Sequence, residues 1–473
     1  MEICLKALSA NQIEAVHDLS LKLMEEHGLE MKCPQALETF SRHGAKVSGS
    51  RVFLPPDMVQ RAVDSAPAAF KVLAPNPDKD VTIGGGAPTA VTPSAGAPFL
   101  TDARSRQRMA NFDDFKDMLR LTQTSPALDF SSSVALSAEH PHPDEGSYLQ
   151  QYYTLAMTDL PLVGLSQDQA VAEKGIDMAR QAVGREGAPV CVGVSNSLSP
   201  MAWDERMLGV IRAYATKGQA VNISCCSMAG ATAPVNLYGV IVQSNAEVLA
   251  GLVYAQLLSP GAPVIYGTTS SIMDMQSMGL SLGTPEYSLI STACGQMAAR
   301  YRVPYRGGGG LTDAKVFDAQ AGMESAVNLL VSLNNGVDFM LQGLGILEAF
   351  MSVSFEKWVM DEEIIRRVRH MQKGLGEMPG NLAEIIPSGI KAGNYLGLPN
   401  TLKGFRKEMY WPKLADRRNF EAWKSQGRDF LKSAQELVAK RLADYVPPPM
   451  EPERAEALRR AAEDCLGYAP PEA

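Results

Sequence analysis

Short apolar segments alternate with helical segments along most of this sequence, and this alternation constrains the fold more than any other feature. Amphipathic stretches such as DERMLGVIRAYATKG and EYSLISTACGQMAARYR separate most of the apolar runs. Strands that alternate with helices form parallel sheets through right-handed crossovers. Eight strands close a TIM (β/α)8 barrel, although a doubly wound open sheet shows the same alternation. The eight runs occupy residues 88–94, 127–136, 160–166, 188–197, 219–227, 262–271, 302–310 and 337–345.

The two ends of the chain depart from this alternation. Residues 1–87 are predicted to form an N-terminal extension, in which Ser9 begins a helix, Gly28 follows its end, and apolar runs broken by Pro and Gly form hairpins. Residues 88–375 are predicted to form the α/β barrel, and residues 376–473 a C-terminal helical extension. Such added helices pack on the barrel or on a second subunit, which favours a homo-oligomer.

Charge and cysteine content exclude several classes of function. The chain has 44 Lys and Arg against 52 Asp and Glu, a net charge of −8 and no basic cluster, which argues against a nucleic-acid partner. Neither a signal-peptide pattern nor an apolar run of membrane-spanning length is present in the sequence. The seven cysteines are odd in number and lack CxxC spacing, so no disulfide framework or zinc site is indicated. The sequence predicts a cytoplasmic protein without a membrane partner.

The active site of such a barrel lies at the carboxyl ends of its strands. Ser, Thr, Asn and Gly dominate the ends of the eight runs, Asn196 among them, whereas His, Asp and Glu are scarce. His140 and His142 are the only histidines at metal-ligand spacing, and Pro141 between them favours an extended segment. A solvated loop or a substrate contact by His140 explains this pair better than a metal, so no bound metal is predicted.

Four consecutive glycines, Gly307–Gly310, end the seventh run. Each glycine costs backbone entropy to order, so the run needs a physical reason. A phosphate-binding loop requires GxxxxGK[ST], but Lys315 is followed here by Val316. Two interpretations remain. The glycines either let a strand end lie flat against neighbouring loops, or they keep open a pocket floor made by Gly308, Gly309 and Gly310.

Aromatic residues near the same strand ends suggest a cationic ligand. Each one alone is explained more simply as a core residue, but together they would surround a quaternary ammonium through cation–π contacts. Arg306 would then hold a carboxylate. The set therefore predicts a small zwitterion with a methylated nitrogen. Its aromatic members are Tyr266, Tyr305, Phe350, Phe355 and Trp358.

Three methionines, Met273, Met275 and Met278, follow the sixth run in what is predicted to be a loop. Core filling explains most of the 23 methionines, but flexible thioethers also suit a surface that receives a large apolar group. Glu286 opens the next predicted helix and is included among the candidates for substrate binding.

Several segments carry a resemblance to a known family. They are GTPEYSLISTACGQMAARYRVPYRGGGGLTDAKVFDAQAGMES, LGILEAFMSVSFEKWVMDEEI, PFLTDARSRQRMANFDDF and APVIYGTTSSIMDM. These segments resemble the trimethylamine methyltransferase family, and the resemblance covers nearly the whole chain. It implies a TIM barrel that moves a methyl group from a methylated amine to the Co(I) of a small corrinoid protein. The corrinoid cofactor is thus expected on the partner protein.

The resemblance also implies a substrate class and site residues. Archaeal trimethylamine enzymes of the family carry pyrrolysine where this sequence reads GGGGLTD, and Leu311 aligns with it. The chain is therefore more similar to the branch without pyrrolysine, which includes glycine betaine:corrinoid methyltransferases. A quaternary ammonium leaves as a neutral amine, so a site poor in acids and bases suffices. The expected catalytic residues are Leu311, Asp313 and Gln342, with Met273, Met275 and Met278 facing the corrinoid.

Alternatives remain open from the sequence. Some relatives have His where this chain has Gln342, so carnitine, proline betaine or another quaternary amine would be an alternative substrate. A barrel that binds a betaine without methyl transfer is a second class. A phosphate-ligand enzyme of the aldolase or isomerase type is a third, but the strand ends lack its catalytic Lys.

Overall fold

A computed structural model describes residues 5–427 and 429–472. Residues 1–4 and 473, at the outer ends of the two predicted extensions, and residue 428 lie outside the described residues. The α-helices are α1 (Ala10–Glu26), α2 (Pro34–Arg42), α3 (Pro56–Ser65), α4 (Phe112–Gln123), α5 (Pro143–Met157), α6 (Gln169–Val183), α7 (Glu205–Thr216), α8 (Leu237–Leu258), α9 (Pro285–Tyr301), α10 (Ala319–Asn334), α11 (Phe355–Gln372), α12 (Leu382–Ala392), α13 (Pro399–Glu408), α14 (Phe420–Gln426), α15 (Phe430–Ala443) and α16 (Pro452–Leu466).

The strands are short, and most belong to one large sheet or to small sheets around it. They are β1 (Leu29–Met31), β2 (Lys46–Ser48), β3 (Arg51–Phe53), β4 (Ala69–Val72), β5 (Val81–Gly84), β6 (Ala90–Val91), β7 (Phe99–Thr101), β8 (Gln107–Met109), β9 (Ser131–Ser132), β10 (Leu162–Val163), β11 (Cys191–Asn196), β12 (Ala202–Trp203), β13 (Ala220–Cys225), β14 (Met228–Ala229), β15 (Val264–Thr268), β16 (Ser271–Met273), β17 (Leu280–Ser281), β18 (Tyr305–Gly308), β19 (Phe339–Leu341), β20 (Ile346–Leu347) and β21 (Ser352–Val353).

Eight parallel strands form the central sheet, in the order β6-β19-β18-β15-β13-β11-β10-β9. Each apolar run in the sequence contributes one of these strands, and helices α4 to α11 alternate with them. The prediction of a parallel α/β sheet of eight strands is therefore confirmed. The first strand of this sheet in the chain, β6, pairs with the last, β19.

The two faces of the sheet have different neighbours because side chains alternate along a strand. One face packs against the surrounding helices through residues such as Val264 and Tyr266. The other, here termed the inner face, carries a separate apolar cluster that includes Phe130, Ile265 and Phe339. This alternation decides which strand residues are able to share a site.

The hairpin of β4 and β5 covers the amino ends of the central strands. Val72 and Ile83 from this hairpin join the apolar cluster of the inner face. Leu73 N donates to Pro189 O, immediately before β11. The hairpin predicted in the N-terminal extension therefore closes the end of the sheet that lies opposite the expected site.

The remaining extensions pack on the outer helices. Helix α1 begins at the predicted N-cap Ser9, whose Oγ accepts from Gln12 N at 3.4 Å, and it packs on α8. Helix α15 packs on α4 and α11, and α16 packs on α5 and α6. The boundaries of the three predicted domains stay a prediction.

Helix α8 is the one described helix long and apolar enough to cross a membrane by composition. Most of its apolar window, 83%, is buried inside the protein. It lies among α1, α3, α7 and α9 and is a core helix.

Candidate functional site

A buried arginine occupies the inner face near the carboxyl ends of the strands. In the strand ladders Arg306 lies opposite Gly267 of β15 and opposite Phe339 of β19. Phe339 belongs to the inner-face cluster, which places the Arg306 side chain on that face as well. Arg306 is only 2% exposed. The sheet therefore holds a guanidinium in its interior.

The Arg306 guanidinium lacks an anionic partner. Its Nη1 donates to Thr268 O at 2.8 Å and its Nη2 to Gln342 Oε1 at 2.7 Å. Its buried Nε has no hydrogen-bond partner, and no carboxylate of the described chain contacts the side chain. Burial lowers the pKa of Arg306. An unpaired buried cation costs several kcal/mol, roughly, unless a ligand supplies the negative charge.

Asn222 provides a second unpartnered donor beside this arginine. A Cβ atom placed on Gly267 would lie 2.5 Å from Asn222 Oδ1 and 3.2 Å from Arg306 Cδ, so both side chains border the same glycine. The buried Nδ2 of Asn222 has no partner. Ser224, two residues further along β13, donates its hydroxyl to Asn222 Oδ1 at 3.0 Å. The inner face thus holds two N–H donors without partners, Arg306 Nε and Asn222 Nδ2. A polar ligand bound beside them would accept hydrogen bonds from both.

Gln342 reaches Arg306 through an unusual backbone conformation. Leu341 faces the inner apolar cluster, so simple alternation would turn the next residue towards the helices. Gln342 instead has φ of +55°, a strained value for a residue with a side chain, and its amide oxygen accepts from Arg306. The structure therefore brings together two residues that the sequence had placed in separate roles.

The glycine run is packed tightly by the protein itself. A Cβ atom on Gly309 would lie 2.7 Å from Gly343 Cα, and one on Gly310 would lie 2.6 Å from Asp361 Oδ2. All of Gly307–Gly310 is buried. The structure therefore favours the first of the two interpretations, a strand end that lies flat against its neighbours. These neighbours fill the space beside the glycines, which corrects the expectation of an open pocket floor.

A buried ion pair lies beneath this run. Lys357 Nζ lies 2.7 Å from Asp361 Oδ2 and donates to Gly310 O at 2.8 Å, while Gly345 N donates to the same carboxylate oxygen at 2.7 Å. Both side chains are fully buried. Burial lowers the pKa of Lys357 and raises the pKa of Asp361 to about 6. The pair links the loop after β18 to the loop that carries Gln342.

Leu311 and Asp313, the two other residues predicted at the catalytic centre, make contacts that support the fold. Leu311 is fully buried in the main core. Asp313 accepts from Leu282 N at 2.7 Å and from Gly283 N at 3.1 Å, and burial raises its pKa. Asp313 therefore fixes the segment that enters α9, and neither residue touches Arg306 among the described contacts.

Tyr266 and Tyr305 lie on the opposite face from Arg306. The Tyr266 hydroxyl donates to Asn245 Oδ1 of α8 at 2.9 Å, and the Tyr305 hydroxyl donates to Ser291 O of α9 at 2.7 Å. Both rings are buried between sheet and helices. Consecutive residues of a strand point to opposite faces, so the cage expected from these tyrosines with Arg306 does not assemble.

The two phenylalanines lie on the loop side of the site. Phe350 follows β20, has φ of +82° and is partly exposed. Phe355 is the first residue of α11 and is also partly exposed. Glu348 and Ala349 have positive φ as well, so this loop after Gln342 is held in a strained form.

The other predicted contacts are dispersed around the carboxyl ends. Asn196 is exposed at the end of β11, and Glu286 is partly exposed in the first turn of α9. His140 Nδ1 lies 2.8 Å from His142 O, and its ring packs edge-on against Phe112. Within residues 5–427 and 429–472, no group of three or more His, Cys, Asp or Glu side chains is placed to hold a metal.

The methionine loop is exposed beside β15. Met273 is buried at the end of β16, whereas Met275 and Met278 are 65% and 67% exposed in the turn that leads to β17. Met278 has φ of +60°. The turn therefore presents apolar thioethers to solvent at the carboxyl end of the central sheet.

Sequence reasoning missed Asn222 and did not anticipate the contacts that Thr268 and Tyr287 make. Tyr287 accepts from Gly308 N at 2.9 Å and so supports the strand that bears Arg306. A signal for Asn222 was present, because Asn222 and Ser224 interrupt an otherwise apolar strand at a spacing of two. Thr268 contributes a backbone carbonyl, which no side-chain pattern reveals.

An eight-stranded parallel α/β sheet with unpaired polar donors at its carboxyl ends defines a class of protein, the small-molecule α/β enzymes. The comparisons with known proteins narrow this class. The family model described as trimethylamine methyltransferase matches residues 3–463. The chain belongs to the trimethylamine methyltransferase family.

Individual relatives agree with this membership. The chain is 38% identical to the glycine betaine methyltransferase of Desulfitobacterium hafniense, with 94% of each chain covered. It is 32% identical to the proline betaine:corrinoid methyltransferase of Eubacterium limosum, with 96% of each covered. Its fold is similar to the crystal structure of the Methanosarcina barkeri monomethylamine methyltransferase, with a TM-score of 0.56, 11% identity, and coverage of 94% of this chain and 90% of that one.

Proposed function

We propose that this protein transfers a methyl group from a quaternary amine that bears a carboxylate to the Co(I) of a corrinoid protein. Glycine betaine is the proposed substrate, with dimethylglycine as product, and carnitine and proline betaine are the alternatives. We propose that the protein acts in the cytoplasm.

The unpaired guanidinium of Arg306 carries this proposal. Its free Nε and the free Nδ2 of Asn222 are the two donors that a carboxylate group would accept from in the interior of the sheet. A charge-assisted contact of this kind would compensate the buried cation. Choline and trimethylamine have no carboxylate, so the proposal distinguishes substrates by the end of the molecule that does not react.

The strand order supports a second proposal, that the site lies at the end of a closed barrel. We infer that the central sheet closes, because Asp129 N and Phe130 N, just before β9, donate to Val91 O of β6 at 2.9 and 3.2 Å. The Asp129 carboxylate accepts in turn from Val91 N at 2.9 Å. These bonds connect the segment before β9 to β6, at the two edges of the sheet, and support its closure as a (β/α)8 barrel.

The residues of this chain have a positioning task in the reaction. Co(I) of the partner's corrinoid supplies the electron pair of the new carbon–cobalt bond. The broken carbon–nitrogen bond leaves its electron pair on nitrogen, so dimethylglycine departs as a neutral amine. Arg306 holds the carboxylate at the inner face, and the ammonium then points away from the guanidinium towards the carboxyl-end loops. Phe350 and Phe355 are the aromatic side chains proposed to face it there.

The corrinoid partner would meet the same end of the sheet. The exposed Met275 and Met278 fit an apolar surface that a corrin ring or its protein would cover. Asn196 and His140 border this opening and are proposed as polar contacts. Gln342 accepts a hydrogen bond from the Arg306 guanidinium and so fixes its position. The position of the guanidinium in turn sets the distance between the carboxylate and the ammonium of the substrate that the site accepts.

The test is methyl transfer to Co(I) cobalamin, followed by the change in its visible spectrum. We expect methylation from glycine betaine or another carboxylate-bearing quaternary amine, and none from choline or trimethylamine. Arg306→Ala should raise KM for the substrate about 10- to 150-fold, since a hydrogen bond to a charged group is worth about 1.5–3 kcal/mol.

Arg302→Ala is the matched control. Arg302 is an exposed arginine at the end of α9, four residues before Arg306 in the chain. Its KM should stay within twofold of the unmodified protein. Equal activity of the Arg306→Ala protein would contradict the assignment of the carboxylate site. Betaine binding without methyl transfer to any corrinoid would identify a binding protein instead.

A further inference from the structure

Residues 374–409, here termed the arm, project from the body of the protein. They contain α12 and α13 and lie between α11 and the segment that returns at Tyr410. Neither helix packs extensively on another element within the described ranges. Helices of this length are marginal in water without tertiary packing, so the arm needs a surface to cover its apolar side chains.

One face of α12 is apolar, with Ile386 and Ile390 exposed and Leu382 and Ile385 partly buried. Its large apolar residues recur at helical spacing, and Ile390 is 71% exposed. The arm also exposes other large apolar side chains on both sides of α12, among them Leu375, Met378, Leu396 and Leu402. A patch of this extent marks an interaction site. The stripe on α12 consists of Leu382, Ile385, Ile386 and Ile390.

A second uncovered apolar surface lies on the outer helices. Met323, Val327 and Leu330 of α10 are exposed at spacings of four and three residues, so they line one side of that helix. Leu330 also lines a groove of about 400 Å³, together with Met360 and Met371 of α11. This surface is termed the α10 face.

The arm and the α10 face lie next to each other. The arm leaves directly after α11, which carries Met371 of the groove. It returns at Tyr410, whose ring packs beside His370 and whose hydroxyl donates to Glu363 O. Both surfaces therefore adjoin the carboxyl-terminal half of α11, as a self-complementary interface around a two-fold axis requires.

We propose that two copies of this chain exchange their arms, each arm packing its α12 stripe on the α10 face of the other copy. An isologous interface of this kind contains the arm–face contact twice. One side of a standard interface uses about 20–30 residues, and the arm with the α10 face provides more than that. The interface leaves the carboxyl ends of the central strands free, because α10 and α11 cover the outside of the sheet.

A second copy fits these surfaces better than the corrinoid protein does. The corrinoid has to reach the strand ends, whereas the α10 face lies on the outer helix layer. The chain itself supplies both an unpartnered amphipathic helix and an unpartnered apolar groove. The proposal is independent of the reaction, so methyl-transfer activity does not enter its test.

The first experiment measures molar mass in solution by light scattering on the full chain at micromolar concentration. We expect two chains for the unmodified protein. Ile386→Glu with Ile390→Glu in the arm, and Val327→Glu with Leu330→Glu in the α10 face, should each lower the mass to one chain. Leu19→Glu is the control, since Leu19 is equally exposed on α1 and should keep the larger mass.

Mixing the two double variants tests the exchange itself. A mixed pair contains one intact arm on one intact face, whereas each variant alone contains none. Native mass spectrometry should therefore detect a dimer only in the mixture. A monomeric or odd-numbered unmodified protein, an unchanged mass in either double variant, or a mixture that stays monomeric would overturn the proposal. Circular dichroism checks folding, and a double variant that has lost its native spectrum is replaced by the corresponding serine pair.

Discussion

Substituting Gly310 with alanine tests whether the glycine run is imposed by packing. The new Cβ would lie 2.6 Å from Asp361 Oδ2 and 2.8 Å from Gly343 O, against ordinary contact distances that begin at 3.4 Å. Neither group moves easily, because the carboxylate is paired with Lys357 and the carbonyl belongs to a buried backbone. Overpacking of this kind costs about 1–3 kcal/mol.

The expected shift in melting temperature follows from the length of the chain. Unfolding entropy near 60 °C is about 2.1 cal/mol/K per residue, or about 1 kcal/mol/K for the whole molecule if it unfolds cooperatively. Gly310→Ala should therefore lower the melting temperature by about 1–3 °C in scanning calorimetry. It should also raise KM for the amine, since the displaced loop carries Gln342.

Gly397→Ala is the matched control for this substitution. A Cβ at Gly397 meets nothing within 4 Å, and the alanine restricts the unfolded chain, so stability should stay equal or rise by up to about 1 kcal/mol. Equal melting temperature and equal KM for the Gly310→Ala and unmodified proteins would refute the packing explanation and return the open pocket floor as the reason for the glycines.

Three further predictions concern the site and its surroundings. Asn222→Asp places a carboxylate beside Arg306 and should raise KM for betaine at least tenfold with an unchanged circular dichroism spectrum; unchanged KM in steady-state assays would contradict the shared carboxylate site. Met275→Asp with Met278→Asp should slow methyl transfer to a corrinoid protein at least tenfold and to free cobalamin less than twofold, and equal slowing with both acceptors would argue against a docking role. Burial raises the pKa of Asp338, so the folded state binds its proton more tightly than the unfolded state and its contribution to stability declines as pH rises above about 4. Asp338→Asn should therefore gain stability relative to the unmodified protein between pH 4 and pH 7 in urea titrations, and a constant difference would contradict this sign.

The strands of the central sheet could be predicted because each is an apolar run bounded by helical segments. The inner position of Arg306 could also have been predicted from the sequence, because consecutive residues of a strand face opposite sides and Arg306 follows Tyr305. Grouping both residues in one cage neglected that period. The aromatic spacing alone gave no indication that the two tyrosines pack against α8 and α9.

Other features of the site depend on contacts that are distant in sequence. The glycine run is explained by Asp361, which lies on a helix about 50 residues further along the chain. The turn of Gln342 towards Arg306 depends on a positive φ that no local residue preference announces. Family resemblance identified the chemistry, but it did not identify Asn222, because that residue acts through its place on the inner face.

The hairpin of β4 and β5 has a consequence for the order of events in catalysis. It covers the amino ends of the strands and adds Val72 and Ile83 to the apolar cluster there, so we expect the opening of the site to lie at the carboxyl ends. The amine and the corrinoid protein would have to use that opening in turn. The amine would enter first, and the demethylated amine would leave only after the methylated partner has dissociated. Steady-state kinetics should then show a compulsory order, in which free corrinoid protein in excess traps the empty enzyme and inhibits it competitively against the amine.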